Sequence, residues 1–222
     1  MAPIKTELPD YTRKQEFWNS FSHALGVLFA LVGGPFLIAK AVQSGDGVRI
    51  FSSIVFVFAL LILYSGSAIY HGLPKGNLKR VFRVLDHDNV FILIMGTYVP
   101  YTLVGLRNYS VAWCYSILGP CLALGIIGIV LNSIDLKKFN VFCIINYILM
   151  GWIIVISFYP LVQSIGWYPA SFMLLLGGVS YTVGAILYCV GIRHSKWFHL
   201  VFHFFVLLGT LLMFVSLYYW VF

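Results

Sequence analysis

The chain has 222 residues, of which 61% are hydrophobic and 9% are charged. A soluble domain carries about 25% charged residues, so this composition excludes an ordinary soluble domain and indicates a polytopic membrane protein. The net charge of +7 does not indicate nucleic-acid binding, because the basic residues lie in short segments between apolar stretches.

Charged residues divide the sequence into apolar stretches. In chain order these uncharged stretches are 17–39, 50–74, 89–106, 108–134, 139–192 and 197–222. A membrane-spanning helix needs about 20 residues, so the fifth stretch holds two helices, with the break predicted at the turn residues and aromatics of 164–169. The sequence therefore predicts an all-α fold: a single domain over 1–222 with seven transmembrane helices after a short tail, 1–15.

The basic residues predict the orientation of this bundle. One side of the membrane carries eleven of them: Lys5, Arg13, Lys14, Lys75, Lys79, Arg80, Arg83, Lys137, Lys138, Arg193 and Lys196. The other side carries three: Lys40, Arg49 and Arg107. Because cytoplasmic loops carry the excess of Lys and Arg, we predict a cytoplasmic N-terminus and an extracytoplasmic C-terminus.

Polar side chains suited to chemistry gather at the predicted cytoplasmic ends of four helices. They are Glu16, Asn19 and His23 in the first helix, Ser67 and His71 in the second, Asp86, His87 and Asp88 in the third, and His199 and His203 in the seventh. Spacings of three and four place the members within the first, second and seventh helices on one helical face. At about 1.5 Å per residue, the whole group falls within roughly two turns of the same membrane face.

Three histidines of this group, His71, His199 and His203, are interpreted as metal ligands rather than as a plain polar cluster. An unpaired imidazole is costly inside an apolar helix, and neutral imidazole is the commonest protein metal ligand. Three imidazoles suit Zn, Cu, Fe or Ni, and three ligands with an open fourth position are typical of catalytic zinc. Asp86 is then either a fourth ligand or the acceptor that holds a water at the open position, and Ser67 can bind that water or a substrate oxygen.

The remaining polar residues allow plainer interpretations. Glu16 and Asn19 either support the metal ligands or cap and anchor the first helix. His23 is equally consistent with a hydrogen-bonded core histidine and with a member of the site. We expect a loop or packing role for His87, because on a helix it points about 100° away from Asp86.

The order of these residues resembles the haemolysin III family, which belongs with the progestin and adiponectin receptors and more remotely with the alkaline ceramidases. The matching blocks are Glu16-x-x-Asn19-x-x-x-His23, Ser67-x-x-x-His71, Leu85-Asp86-His87, Gly96-Thr97-Tyr98-Val99-Pro100 and His199-x-x-x-His203. The blocks cover nearly the whole chain, and the short N-terminal tail is similar to the bacterial branch of the family. Asp88 is a departure, since the family more often has a small residue there.

The resemblance implies seven helices, a cytoplasmic N-terminus and one zinc ion held by His71, His199 and His203. It also implies that Asp86 lies near the metal-bound water with Ser67 beside it. The implied activity is intramembrane hydrolysis of lipid amides such as ceramide. We accordingly expect a bacterial plasma-membrane protein whose partners are membrane lipids, with a lipid substrate or a free fatty acid as ligand.

Two other functions remain open at this stage. One is a non-catalytic lipid sensor or membrane-homeostasis protein, in which a metal joins the second and seventh helices. The other is a pore, a transporter or a pore-forming cytolysin. Polar residues are sparse beyond the cytoplasmic half, which argues against a pore. Asn132, Ser133 and Asn146 are too few to form a continuous wet path through the bundle.

Overall fold

Seven long apolar helices occur in residues 6–222, the part of the chain that the computed structural model describes. They are α1 (Arg13–Gln43), α2 (Gly47–Gly72), α3 (Asn77–Tyr109), α4 (Val111–Ile134), α5 (Leu136–Ile165), α6 (Trp167–Gly191) and α7 (Trp197–Val221). At about 1.5 Å per residue, each can cross a hydrocarbon core of about 30 Å. The predicted seven-helix membrane fold is confirmed, and no strand occurs within the described range.

The third helix begins much earlier than the uncharged stretch predicts. It starts at Asn77, so Lys79, Arg80 and Arg83 lie in its first turns rather than in a loop. Long basic side chains can remain at a membrane interface while their apolar stems pack against the bundle, which makes a charged first turn compatible with a spanning helix. These residues stay at the predicted end of the bundle, whereas Lys5 lies outside the described residues.

The first helix also begins within a charged segment. Thr12 caps it: the Thr12 hydroxyl accepts from Gln15 N at 3.2 Å, while the Gln15 side chain accepts from Thr12 N at 2.9 Å. This reciprocal pair satisfies two amide groups that a helix N-terminus otherwise leaves without partners. The described tail before α1 is therefore the segment 6–12.

Tyr98 explains an irregularity in the fifth helix. Its hydroxyl donates to the Met150 carbonyl and accepts from Ile154 N at 3.0 Å, so it takes part in the backbone hydrogen bonding of α5. A side chain inserted in this way disrupts the regular α-helical ladder. The 3₁₀ turn Ile153–Ser157 follows at this point.

The packing order of the helices leaves one loose contact. α1 packs between α2 and α7, α2 packs on α3, α3 on α4, α4 on α5, and α6 on α7. α5 and α6 touch each other at few points. Close packing elsewhere depends on small residues: a Cβ added at Gly128 of α4 would lie 2.2 Å from Phe91 Cζ of α3. The helices thus form a ring that is loosest between α5 and α6.

Polar side chains in the middle of the chain bind one another across helices. Asp88 of α3 accepts from Asn132 Nδ2 at 2.7 Å and from Ser133 Oγ at 2.8 Å, both on α4. Asn146 of α5 donates to the Leu124 carbonyl of α4 at 2.9 Å. These groups join neighbouring helices and do not mark a path through the bundle. Asp88 in particular faces α4.

The orientation in the membrane remains a prediction from the basic residues. If the end of the bundle with eleven basic residues lies in the cytoplasm, Gly45 and Phe222 both lie outside. Alkaline phosphatase fused after either residue should then be active. A fusion after Lys75 should be inactive. Fluorescent-protein fusions at the same points, which require a cytoplasmic location, should give the opposite pattern. A cytoplasmic C-terminus would contradict the predicted topology.

Candidate metal centre

Three histidines meet at one end of the bundle. His71 lies in the last turn of α2, and His199 and His203 lie one turn apart at the start of α7. The Nε2 atom of His199 is 3.0 Å from His71 Nε2 and 3.0 Å from His203 Nε2. All three rings are buried, and one ligand atom of each lies within 4.8 Å of the others. The structure thus brings together the three residues that the sequence selects.

Hydrogen bonds on the far side of two rings assign their tautomers. The Ser22 hydroxyl donates to the Asn19 carbonyl at 2.8 Å, so its oxygen is left to accept from His203 Nδ1 at 2.9 Å. The Glu16 carboxylate accepts from His71 Nδ1 at 2.7 Å. In its neutral form, each of these imidazoles carries its proton on Nδ1 and a lone pair on Nε2.

This proton arrangement leaves more lone pairs than protons at the centre of the group. His199 Nε2 can offer one hydrogen at most, and it faces two Nε2 lone pairs at 3.0 Å. Within the described residues, His199 Nδ1 has no hydrogen-bond partner either. A cation between the three Nε2 atoms satisfies all of them, whereas buried lone pairs without a partner are costly. The buried group of His71, His199 and His203 can therefore hold a metal ion.

An ion pair stands behind His71. Glu16 of α1 accepts from His71 Nδ1 through Oε2, and its Oε1 lies 2.9 Å from Lys79 Nζ of α3. A carboxylate that accepts from the non-ligating nitrogen is a common partner of metal-bound histidine, because it fixes the ring orientation. Lys79 was not selected from the sequence, because each span was taken to end at a charged residue and Lys79 was therefore placed in a loop. It precedes Asp86 by seven residues and so shares its helical face.

The other predicted supporting residues contact the group differently. The His23 ring stacks on the His203 ring, with 3.6 Å between centroids, and within the described residues neither of its nitrogens has a hydrogen-bond partner. Asn19 acts through its backbone carbonyl, which accepts the Ser22 proton. Ser22 was not selected from the sequence, because a lone serine in an apolar helix carries no pattern.

A cavity of about 190 Å³ adjoins the histidines. Its wall includes His199, His203 and His23 together with the two predicted catalytic residues, Ser67 and Asp86. Ser67 is buried, and within the described residues its hydroxyl has no partner. The cavity far exceeds the roughly 30 Å³ that one water molecule occupies in the liquid, so it has room for part of a ligand.

The cavity continues along the bundle as an apolar channel. On α7 it extends from His199 to Met213, and on α3 from Asp86 to Tyr101. At about 1.5 Å per residue this is a length of about 20 Å. The histidines and Asp86 lie at one end, while leucine, isoleucine, valine and phenylalanine side chains from α2, α3, α5, α6 and α7 form most of the remainder, together with tyrosines such as Tyr98, Tyr101 and Tyr181. The arrangement is that of a polar head site with a long apolar extension.

Tyr11 covers the histidines from the N-terminal side. Its ring centroid lies 5.8 Å from that of His71 and 5.5 Å from that of His199, and the side chain is buried. Burial raises the pKa of Tyr11 above its ordinary value, so the hydroxyl stays neutral at physiological pH. The N-terminal segment thereby closes the end of the bundle over the three histidines.

Two ion pairs and one hydrogen bond attach this segment to three different parts of the chain. Glu7 pairs with Lys137 at 2.9 Å and Asp10 with Lys75 at 2.8 Å, while Lys196 Nζ donates to the Asp10 carbonyl. The hydrogen bond from Lys137 lowers the pKa of Glu7, and the hydrogen bond from Lys75 lowers the pKa of Asp10. Exposed pairs of this kind stabilise weakly and are screened by salt, so they guide the segment while Tyr11 fills the space.

Comparison with known proteins agrees with this geometry. The model of the family described as "Haemolysin-III related" matches residues 11–214. The chain belongs to the haemolysin-III related family. The "Hemolysin-3 homolog" of Bacillus subtilis (strain 168) is 34% identical over 205 residues, which cover 92% of this chain and 93% of that protein. "Hemolysin-3" of Bacillus cereus is 29% identical over 211 residues, covering 94% and 92%.

Family membership and the helices together settle the location. A haemolysin-III related chain with seven spanning helices and Bacillus relatives is an integral membrane protein of the bacterial plasma membrane. The family match includes every residue of the candidate metal centre from Tyr11 to His203.

The cover formed by Tyr11 gives a direct test. We predict that Tyr11→Ala increases the rate at which diethyl pyrocarbonate modifies His71 and His199 several-fold, because solvent then reaches rings that Tyr11 shields. Peptide mass spectrometry of chelator-treated protein measures the rate at each histidine. Tyr115→Ala, which removes an exposed tyrosine of α4, serves as the control and should leave the rates unchanged. Equal rates in Tyr11→Ala and wild type would show that Tyr11 is not the cover.

Proposed function

We propose that the chain is a zinc-dependent intramembrane hydrolase of lipid amides or esters. The observation that carries this proposal is the position of His199 and His203, two of the three clustered histidines, on the wall at the polar end of a long apolar cavity. Asp86 and Ser67 lie on the same cavity wall, and within the described residues the Ser67 hydroxyl has no hydrogen-bond partner. A membrane protein gains nothing in stability from an unpaired hydroxyl beside a histidine cluster, so the arrangement suits a reactive group of a ligand.

Zinc is the metal that this donor set favours. Three neutral imidazoles leave one of four tetrahedral positions free, which is the pattern of catalytic rather than structural zinc. When bound, zinc would supply a Lewis acid that polarises a carbonyl group and makes water acidic enough to react near neutral pH. Glu16 fixes the tautomer of His71, and Ser22 fixes that of His203. Both histidines can therefore present an Nε2 lone pair to the ion.

Asp86 and Ser67 have complementary roles in such a reaction. Hydrolysis of an amide forms a C–O bond from water, breaks the C–N bond and transfers one proton from the water to the leaving amine. Asp86 can accept that proton on its carboxylate and return it to the nitrogen, as a general base and then a general acid. Ser67 can donate its hydroxyl hydrogen to the substrate oxygen as negative charge develops there.

The cavity argues for an acyl-chain substrate. Its length of about 20 Å exceeds one leaflet of the hydrocarbon core, which is about half of 30 Å. It also reaches the side of the bundle: Val155 of α5 lines the cavity and is 48% exposed. Lipid can enter there, between α5 and α6, with its carbonyl group at the histidines. A free fatty acid would then be a product.

A structural metal is the second candidate, and one observation favours it. His71 is on α2 and His199 and His203 are on α7, while α1 packs between these two helices. An ion at this position would fix α2 and α7 across α1, which suits a lipid-sensing or membrane-homeostasis protein. The name of the Bacillus cereus relative suggests a lytic function for that protein. Such a function has less support here, because Asp88, Asn132 and Ser133 bind one another and do not line a polar path through the bundle.

We predict one zinc ion per chain in protein purified from zinc-replete cells. His71→Ala, His199→Ala and His203→Ala should each abolish it, because each removes a ligand. His23→Ala is the matched control: it removes a buried histidine that contacts His203 only through its ring face, and should keep most of the metal. Inductively coupled plasma mass spectrometry measures occupancy. A metal-free wild type, or an empty His23→Ala variant, would contradict the ligand assignment.

The hydrolase proposal has its own test. Incubation with a panel of ceramides, other acyl amides and acyl esters, followed by mass spectrometry, should give a metal-dependent fatty acid product. Asp86→Ala should retain zinc and lower the rate by about 100-fold or more, since general-base catalysis contributes about 10²–10⁴-fold. Ser67→Ala should lower the rate less. Full zinc occupancy without a metal-dependent product would favour the sensor.

A further inference from the structure

Lys79 is a buried lysine whose contacts converge on His71. It lies in the first turn of α3 and is 2% exposed. Its Nζ is 2.9 Å from the Tyr70 carbonyl, 2.9 Å from the Leu73 carbonyl, 3.3 Å from the His71 carbonyl and 2.9 Å from Glu16 Oε1. An ammonium group has three hydrogens and no acceptor, so these four oxygens occupy all of its donor capacity.

Three of these contacts form a helix cap. α2 ends at Gly72, and the carbonyl groups of a last helical turn have no partners within the helix. A positive charge at this end also opposes the negative pole of the helix dipole. Lys79 therefore fixes the backbone turn from which the His71 side chain projects. This role alone would explain the burial as a matter of stability.

The fourth contact has a different consequence. Glu16 receives the Lys79 ammonium on one carboxylate oxygen and the His71 Nδ1–H on the other. The carboxylate is thus held between two donors and cannot rotate without breaking one of the bonds. Lys79 consequently reaches His71 by two routes, through the backbone of α2 and through the imidazole.

Neighbouring basic residues do not share this arrangement. The Lys75 side chain is 64% exposed and pairs with Asp10. Arg80 donates to the exposed Asn77 within its own helix. Arg80, next to Lys79 in α3 and at the same end of the bundle, is therefore a suitable control for the effect of removing a positive charge.

We propose that Lys79 is a positioning residue of the metal centre. Through Glu16 and the last turn of α2, it holds the His71 ring with Nδ1 as donor and Nε2 directed at His199 and His203. This inference rests on the proposed metal site, and it adds a residue outside the ligand set that determines how tightly the metal is held. Loss of the ammonium frees Glu16 to turn toward water, and His71 then loses its fixed orientation.

The test compares Lys79→Met with wild type and with Arg80→Met. Zinc affinity is measured by competition with a chelator, coordination by the visible absorption of the cobalt-substituted protein, and stability by the thermal midpoint of the metal-free protein. Lys79→Met should weaken zinc binding roughly 10–100-fold, the effect typical of losing a group that orients a ligand. Its cobalt spectrum should also differ from that of wild type. Arg80→Met should match wild type in both.

A double-mutant cycle distinguishes positioning from capping. If Lys79 acts through Glu16, the double variant Glu16→Gln with Lys79→Met should bind zinc no more weakly than the weaker single variant. If Lys79 only caps α2, Lys79→Met lowers the thermal midpoint of the metal-free protein but leaves zinc affinity and the cobalt spectrum unchanged. That result, or fully additive losses in the cycle, would overturn the proposal.

A second variant covers the case in which Lys79→Met does not fold. Lys79→Gln can still donate to the carbonyl groups of α2 but brings no charge to Glu16. It should fold and bind zinc at least about 10-fold more weakly than wild type, and wild-type affinity in this variant would overturn the proposal. A wild-type protein that binds no metal would instead overturn the proposed function itself, so the two failures are distinguishable.

Discussion

The structure depends on one constraint: inside an apolar bundle, a polar atom must find its partner within the protein. At the histidine end this requirement is met only in part by protein groups. Ser22 and Glu16 bind the Nδ1 atoms of His203 and His71, but the Nε2 atoms converge without enough protons between them. This imbalance is what allows the group to hold a metal ion, and the surrounding ion pair and hydroxyl fix the orientation of two of its rings.

A second polar cluster shows that burial alone does not make a site. Asp88 lies two residues from Asp86, yet both of its oxygens receive hydrogen bonds from α4, through Asn132 and Ser133. This cluster is complete without an ion and joins two helices. By contrast, the Ser67 hydroxyl lacks a partner within the described residues and borders a cavity. Incomplete pairing next to open space therefore separates a candidate site from structural polar contacts.

The sequence predicted those features that depend on local spacing. His199 and His203 are four residues apart, so their shared helical face follows from helix geometry alone, and the apolar stretches suffice to count seven helices. Lys79 and Ser22 were missed for a different reason. Lys79 acts across three helices, and the rule that ends a span at a charged residue moved it out of α3. Ser22 could not be found from a local pattern, because packing sets the rotation of α1 about its axis and thus decides which of its residues faces His203.

Access to the histidines differs between the two sides of the site. Tyr11 and the ion pairs of the N-terminal segment close the end of the bundle, where water and dissolved ions would enter. Residues of α5 and α6 line the cavity, among them Val155, which is 48% exposed, and a hydrogen bond from Trp152 Nε1 to Thr182 Oγ1 at 3.0 Å crosses between these helices. In the proposed function, a metal ion and an apolar ligand would therefore use separate routes. For a hydrolase of the proposed kind, substrate can exchange with the bilayer while Tyr11 stays in place and the metal is retained.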